Sequence, residues 1–316
     1  MNVYEEVLQA EQRIRPYIRE TPLEYSLALS QQYAAEVFLK LENLQHTGSF
    51  KVRGAMNKLL SLTPEEQVRG VVTASTGNHG VATAFGLRAL KLTGTIFVPE
   101  NAAPTKVAAI KRYGARIETY GVDCLETELH AQGYAREHGL TYISPYNDLQ
   151  VIGGQGTIGV ELMRQAEKID AVFVSVGGGG LVSGIAGYLK QVMSAVRIIG
   201  CLPENSPEMA LAVEAGQHVQ IEPKPTFSDG TAGGFEPGAI TFELCQQLVD
   251  EYVLVSEEEI AAAIRLTLET QHQLIEGSAG VAIAGFQKLY QKFKGQQVAI
   301  VLCGANISLA TLKQVL

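Results

Sequence analysis

The strongest constraint on the fold is an alternation of strand-like and helix-like segments on short connections, which begins near residue 70 and recurs along the chain. Val71-Val72-Thr73 reads as a strand and Val81–Leu90 as a helix. Thr95–Val98 and Ala103–Tyr113 repeat the pair, the helix opening near Pro104, and Ala115–Thr119 with Asp123–Glu137 repeats it again. Strands separated by single helices pair in parallel, through right-handed crossovers. The pattern pauses near Ser144-Pro145-Tyr146-Asn147. It resumes with a helix over Ile158–Glu167, a strand over Ala171–Ser175, a helix over Leu181–Val192, a strand over Arg197–Cys201 and a helix around Pro207–Ala215. A polar loop with Pro223 and Pro225 runs to Gly238. Helices are expected over Ile240–Val249, Glu257–His272 and Ala279–Phe293, with a last buried strand over Val298–Leu302. Ahead of the alternation, residues 2–14 fit an amphipathic helix, Thr21-Pro22-Leu23 breaks it, and Leu27–Tyr33 resumes helical spacing. The expected fold class is α/β: two open parallel-sheet lobes, divided near residue 145, with ligands bound between them at the carboxyl ends of the strands.

Composition narrows the function classes. A net charge of −8 without basic blocks argues against a nucleic-acid partner. No apolar stretch reaches the roughly 18 residues that span a bilayer, so no membrane partner is expected. The acidic start Met1-Asn2-Val3-Tyr4-Glu5-Glu6 lacks a signal-peptide pattern. Cys124, Cys201, Cys245 and Cys303 are scattered singly, which reads as reduced thiols of a cytoplasmic protein rather than a disulfide framework or zinc site.

Four segments carry chemistry. Gly48-Ser49-Phe50-Lys51-Val52-Arg53-Gly54-Ala55 places a lysine between Phe and Val just after a Gly-Ser turn. Desolvation there disfavours the ammonium and makes a nucleophilic amine, as a Schiff-base lysine requires; the alternative is a solvated surface lysine. Ser75-Thr76-Gly77-Asn78-His79-Gly80 follows a strand and opens a helix, offering free backbone N–H groups to a carboxylate, or simply capping the helix. Gly177-Gly178-Gly179-Gly180-Leu181 lies between a strand and a helix, where close backbone approach and the helix N-terminus suit a phosphate; a tight structural turn is the other reading. It is not a Walker P-loop. A dinucleotide site lacks its acidic ribose partner, since Ile198-Ile199-Gly200 stands near that position. Cys303-Gly304-Ala305-Asn306 ends the last strand with a thiol able to hydrogen-bond a ring nitrogen, or to be a buried structural cysteine.

In this order the segments resemble the fold-type II, tryptophan synthase β-like, pyridoxal-phosphate enzymes. Within them the chain is most similar to the group of serine/threonine dehydratases and serine racemases, from Leu41-Glu42-Asn43-Leu44-Gln45 to Cys303-Gly304-Ala305-Asn306. The resemblance implies pyridoxal 5′-phosphate as cofactor, carried on Lys51 in a large lobe of residues 1–52 and 146–316, with a small lobe of residues 53–145. It implies Phe50 packing against the cofactor, Asn78 at its 3′-oxygen and Gly177, Gly178, Gly179, Gly180 and Leu181 at its phosphate. Cys303 falls at its ring nitrogen and Glu276 nearby. Ser75, Thr76, Asn78 and His79 become the loop for the substrate carboxylate.

The activity implied is elimination from a small β-hydroxy amino acid, threonine or serine, to a 2-oxo acid and ammonia. Amino-acid racemisation and hydroxyaspartate ammonia-lyase activity are the alternatives on the same scaffold; a phosphometabolite-binding module and a nicotinamide dehydrogenase are the alternatives outside it. Thr76 stands where racemases place an acid/base hydroxyl, and its branched side chain is expected to be held by backbone hydrogen bonds at the helix start. No metal is expected, because Leu202 occupies the first position of the relatives' metal site, although Glu204 and Glu208 lie close by. A homodimer is expected, and the end at Leu316 leaves no room for the regulatory domain of biosynthetic relatives.

Overall fold

A computed structural model describes every residue except Met1, Asp123 and Pro223, and every side chain except theirs and those of Cys124 and Leu125. The expected helix start at Asp123 and the loop residue Pro223 therefore lie outside the described residues. Ten strands are defined among the rest: β1 (Leu23–Tyr25), β2 (Glu36–Lys40), β3 (Val71–Ala74), β4 (Gly94–Val98), β5 (Arg116–Thr119), β6 (Thr141–Tyr142), β7 (Ala171–Ser175), β8 (Arg197–Pro203), β9 (Glu251–Val255) and β10 (Gln297–Val301). They form two sheets, a six-stranded one in the order β1-β2-β10-β7-β8-β9 and a four-stranded one in the order β5-β4-β3-β6. Every pairing is parallel except β1 with β2 at an edge.

The central parallel strands are apolar on both faces because helices cover both, whereas the edge strand β5 exposes Arg116 and Thr119. Ala171, Val172, Phe173 and Val174 of β7 and Val298, Ala299, Ile300 and Val301 of β10 are all fully buried. Against the larger sheet lies the helix Leu149–Gln165, which is longer than its expected span and starts at an Asp148 side chain that accepts the Gln150 and Val151 N–H groups. The helix Gly180–Val192 crosses it where Gly156 and Gly184 meet; a Cβ on Gly156 would stand 2.7 Å from the Gly184 carbonyl. The smaller sheet is covered by helices that include Asn78–Leu90 and Cys124–His138.

A second set of buried groups is charged. Lys40, Glu42, Arg53 and Glu161 have no solvent exposure. Arg53 donates to Glu42 at 2.7 and 2.8 Å and to Glu161 at 2.7 and 2.8 Å, while Lys40 Nζ donates to Glu161 at 2.6 Å and to the Thr21 carbonyl at 2.6 Å. Two cations and two carboxylates thus balance inside the protein, with Arg15 touching Glu161 from the rim at 2.8 Å. Burial alone would raise the Glu161 carboxyl, but Arg53 and Lys40 overturn that and hold it down to about 2. Arg53 lies in the first turn of the helix that Lys51 begins, so the network fixes that turn against β2 and the helix Leu149–Gln165.

Candidate active site

Lys51 opens the helix Lys51–Leu60, and the turn before it is stitched to the end of β10. Phe50 N–H donates to the Cys303 carbonyl at 3.0 Å, Ala305 N–H donates to the Gly48 carbonyl at 2.8 Å, and Ser49 bridges Gly304. Gly48 has φ +71°, and a Cβ there would lie 2.9 Å from Asn306 Oδ1, so the turn requires glycine on both counts. The ammonium of Lys51 donates to the Pro145 carbonyl at 2.8 Å and lies 5.2 Å from the centre of the Phe50 ring. Burial pushes its pKa down to about 8, against the opposing pull of Cys303, Glu276 and Glu128. A substantial fraction of this amine is therefore neutral near pH 8.

Cys303 sits just past β10 and is buried. Its thiol is pushed well above the usual cysteine range by burial and then by Glu276, so it stays protonated. Ser175, at the carboxyl end of β7, donates its hydroxyl to Cys303 Sγ at 3.5 Å. Next to both is Glu276, 3% exposed, which precedes the helix Gly277–Leu289. Its carboxylate receives Asn78 Nδ2 at 2.9 and 3.0 Å and the Asn306 N–H at 3.0 Å. Burial nonetheless raises the group to about 7. Asn306 Nδ2 closes the cluster by donating to Asn78 Oδ1 at 2.6 Å.

The segment from Ser75 to Gly80 runs from the carboxyl end of β3 into the helix Asn78–Leu90, which has no side-chain cap. Ser75 Oγ accepts the Gly77 N–H at 3.2 Å. Among the described residues Thr76 Oγ1 has no hydrogen-bond partner, so the backbone bond expected of Thr76 is made by its neighbour Ser75 instead. His79 is 3% exposed and its Nε2 lies 3.1 Å from the Ile143 carbonyl, against the wall of the cleft. Burial first, and Lys51 second, lower it to about 3, so it is a neutral imidazole. Its Nδ1 is buried without a partner.

At the carboxyl end of β7 the tetraglycine turn begins the helix Gly180–Val192, again without a side-chain cap. Gly179 has φ +83°, and the backbone is approached closely on two sides. A Cβ on Gly177 would lie 2.8 Å from the Thr231 backbone, and one on Gly178 would lie 2.5 Å from the Tyr146 ring. Among the described residues no acceptor lies on the N–H groups of Gly177 to Leu181. A helix start presenting several unpartnered N–H groups is a complement to a phosphate. Gly178→Val is expected to push Tyr146 aside and weaken the binding of a phosphate-bearing cofactor at least about ten-fold, measured by fluorescence titration of the apo protein. Unchanged affinity would mark the turn as structural only.

These groups fit pyridoxal phosphate. A poorly hydrated amine, a protonated thiol at a strand end and an uncapped helix start with free N–H groups correspond to its aldehyde, its ring nitrogen and its phosphate. Tyr146 and Thr231, which complete the surroundings of the tetraglycine turn, carry no motif in the sequence, and Asn306 enters through the segment Cys303–Asn306 only as a neighbour of the thiol. Lys51, Asn78, Cys303 and Glu276 are gathered from four distant segments, while Leu202 is buried within β8.

Comparison with known proteins covers the stretch of chain that carries these residues. Residues 14–304 match the model of the pyridoxal-phosphate dependent enzymes. The L-threonine ammonia-lyase of Thermotoga maritima is 39% identical over 317 residues, covering 100% of this chain and 78% of that protein. The processed form of threonine deaminase isoform 2 from Solanum lycopersicum superposes with a TM-score of 0.92 at 36% identity, covering 98% of this chain and 92% of that one. Maize serine racemase also superposes with a TM-score of 0.92, at 30% identity over 98% and 95% of the two chains. With that sheet order, and with a match running from the first helix to the turn after the last strand, the chain belongs to the family of pyridoxal-phosphate dependent enzymes.

Proposed function

We propose that this protein is an ammonia-lyase that converts a small β-hydroxy amino acid, L-threonine or L-serine, to the 2-oxo acid and ammonia. The observation that carries the reading is the pairing of a partly neutral amine at Lys51 with a thiol at Cys303 that burial keeps protonated. Pyridoxal phosphate, when bound, supplies an electron sink for the carbanion at Cα. A thiol at the ring nitrogen carries no fixed charge, which leaves that sink weaker than one paired with a carboxylate and favours prompt loss of a β-substituent.

The chain's own groups have distinct tasks in this scheme. Lys51 holds the cofactor between turnovers and, once released as a free amine, takes the Cα proton on Nζ. The helix start after Ser75 and Thr76 receives the substrate carboxylate, and the N–H groups of Gly177 to Leu181 receive the phosphate. Asn78 orients the ring, while Glu276 and Asn306 fix the Asn78 amide from both ends. Loss of the β-hydroxyl with one proton forms water. The enamine left behind then takes up water, giving the 2-oxo acid and ammonia. The same reading assigns residues 1–52 and 146–316 to a cofactor-binding lobe and 53–145 to a smaller lobe, in keeping with the six- and four-stranded sheets. It includes a homodimer working in the cytoplasm, in keeping with three free buried cysteines and with no described helix long and apolar enough to cross a membrane.

Racemisation is the second reading, favoured by the unpartnered hydroxyl of Thr76 and by the likeness to a serine racemase. The test of the first reading is release of 2-oxobutanoate from L-threonine or of pyruvate from L-serine by the holoenzyme, and failure to release either would overturn that reading. Chelation gives a separate check. Glu204 pairs with Lys288 at 3.4 Å and Glu208 receives Ser206 Oγ at 2.7 Å, so both are engaged within the protein. EDTA-treated enzyme is expected to keep its turnover rate, and activation by added magnesium would contradict this.

A further inference from the structure

The segment from Ile143 to Asn147 reads in the sequence only as a pause, yet its residues touch several parts of the site in turn. It leads from β6 of the smaller sheet to the helix Leu149–Gln165. The Ile143 carbonyl accepts Thr73 Oγ1 at 2.8 Å and lies 3.1 Å from His79 Nε2. The Pro145 carbonyl accepts Lys51 Nζ at 2.8 Å. Tyr146 rests on the tetraglycine turn: a Cβ on Gly178 would stand 2.5 Å from its ring, and one on Gly180 would stand 3.0 Å from its Cα. The Tyr146 hydroxyl accepts the Glu236 N–H at 2.8 Å. Asn147 holds the far end, accepting the Ile240 N–H at 2.9 Å and donating to Glu236 Oε1 at 2.6 Å.

These contacts are linked through the backbone. The Pro145 carbonyl and the Tyr146 N–H and Cα share one peptide plane, so a fixed Tyr146 Cα fixes the oxygen that holds the amine. The ring of Pro145 stiffens the chain just before that plane, and Ser144 Oγ closes the turn by accepting the Asn147 N–H at 2.9 Å. We propose that Tyr146 is a positioning residue that couples the phosphate turn to Lys51: its ring, held between the glycine backbone and Glu236, sets the carbonyl that aims the amine. Without the ring the plane is free to swing, and a displacement of about 1 Å at a reacting atom can cost on the order of 10²-fold in rate. Coupling in binding is reciprocal, and a turn already steadied by one ligand leaves less to be ordered by the next. The inference rests on the fit of the cofactor to these groups and not on the ammonia-lyase reading.

The test uses the whole chain as apo protein at pH 8 with two fragments of the cofactor, so no turnover is read. Pyridoxine 5′-phosphate has the phosphate but no aldehyde, and its dissociation constant reports the turn. Pyridoxal has the aldehyde but no phosphate, and its rate of attachment to Lys51, fixed by borohydride and located by peptide mapping, reports the amine. Tyr146→Ala is expected to weaken the first and slow the second by at least about five-fold each, whereas Tyr146→Phe, which keeps the ring on the glycines, should stay within about two-fold on both. A change in only one readout, or a Phe variant as impaired as the Ala variant, would overturn the coupling. Inorganic phosphate supplies an arm that a merely loosened fold would not imitate. At saturation it should speed attachment of pyridoxal to Lys51 at least about two-fold in wild type and in Tyr146→Phe, and not in Tyr146→Ala. No acceleration in wild type would overturn the proposal even if the Ala variant failed to fold. If the holoenzyme released no 2-oxo acid from any β-hydroxy amino acid, the ammonia-lyase reading would fail alone, and the fragments would still decide this one.

Discussion

Lys51→Ala is expected to lower kcat for 2-oxo acid formation roughly 10³-fold or more, because in the proposed scheme the same nitrogen anchors the cofactor and accepts the Cα proton. Lys51→Arg should not rescue it. A guanidinium remains protonated at every working pH and can neither attack an aldehyde nor take up a proton. The lowered pKa of Lys51 gives a second handle. Cofactor capture by the apo protein needs the neutral amine, so its rate should rise with pH and level off above about 8. Between about 8 and the ordinary lysine value the folded state holds fewer protons here than the unfolded one, so this group makes the apo protein more stable as pH rises through that window. Stopped-flow absorbance and apo-protein melting curves measure the two effects. A capture rate flat from pH 6 to 9 would contradict the desolvated amine.

Arg53→Met is the second large effect, and it falls on stability. Removing the guanidinium leaves Glu42 without its paired cation and Glu161 with Lys40 and the rim group Arg15, so one carboxylate is uncompensated among groups that have no exposure. Breaking a buried pair in this way costs about 3–5 kcal/mol, and the thermal midpoint should drop by roughly 5 °C or more. Acid acts on the same network. The folded-state pKa of Glu161 is depressed to about 2, so its contribution is complete above the ordinary glutamate value and is lost as pH falls from there towards 2. A midpoint within 1 °C of wild type would show that the network is energetically idle. The position of Arg53 in the first turn after Lys51 adds a functional consequence, since a loosened turn would also move the amine.

How far the sequence foretold this arrangement depends on the kind of signal. The alternation carried β3, β4, β7, β8 and β10 because a parallel strand buried on both faces writes its burial directly as an apolar run, and it carried the partly exposed edge strand β5 through its place between two helices. Three strands were not foreseen. β1 has three residues and lies at an edge, β6 has two, and β9 follows Asp250 as Glu251-Tyr252-Val253-Leu254-Val255 with three of its five side chains partly exposed. None of these offers enough period to stand out. The apolar run Val37–Glu42 reads as one strand in the sequence, whereas β2 stops at Lys40 and Glu42 turns into a short 3₁₀ segment that serves the buried network.

Site residues divide in the same way. Lys51, the tetraglycine turn and the Ser75–Gly80 loop lie in local patterns whose chemistry can be read without knowing what they touch. The bond from Asn78 to Glu276 joins residues 198 apart, and nothing local to either announces it. Charged residues such as Lys40, Glu161 and Glu128 read in sequence as surface groups. Only the assembled fold shows that the first two are fully buried and that the third is half-buried beneath a hydrogen bond from Tyr142.

The account stands or falls on elimination. Incubating the holoenzyme with L-serine and following pyruvate and D-serine together, the first by a coupled dehydrogenase and the second by chiral chromatography, measures it directly. Both reactions begin with removal of the Cα proton by Lys51, and only racemisation needs a proton delivered from the opposite face, where Thr76 offers the hydroxyl. The prediction is pyruvate formed faster than D-serine, with Thr76→Ala removing any residual D-serine while sparing most of the pyruvate. D-serine accumulating faster than pyruvate would contradict the ammonia-lyase assignment.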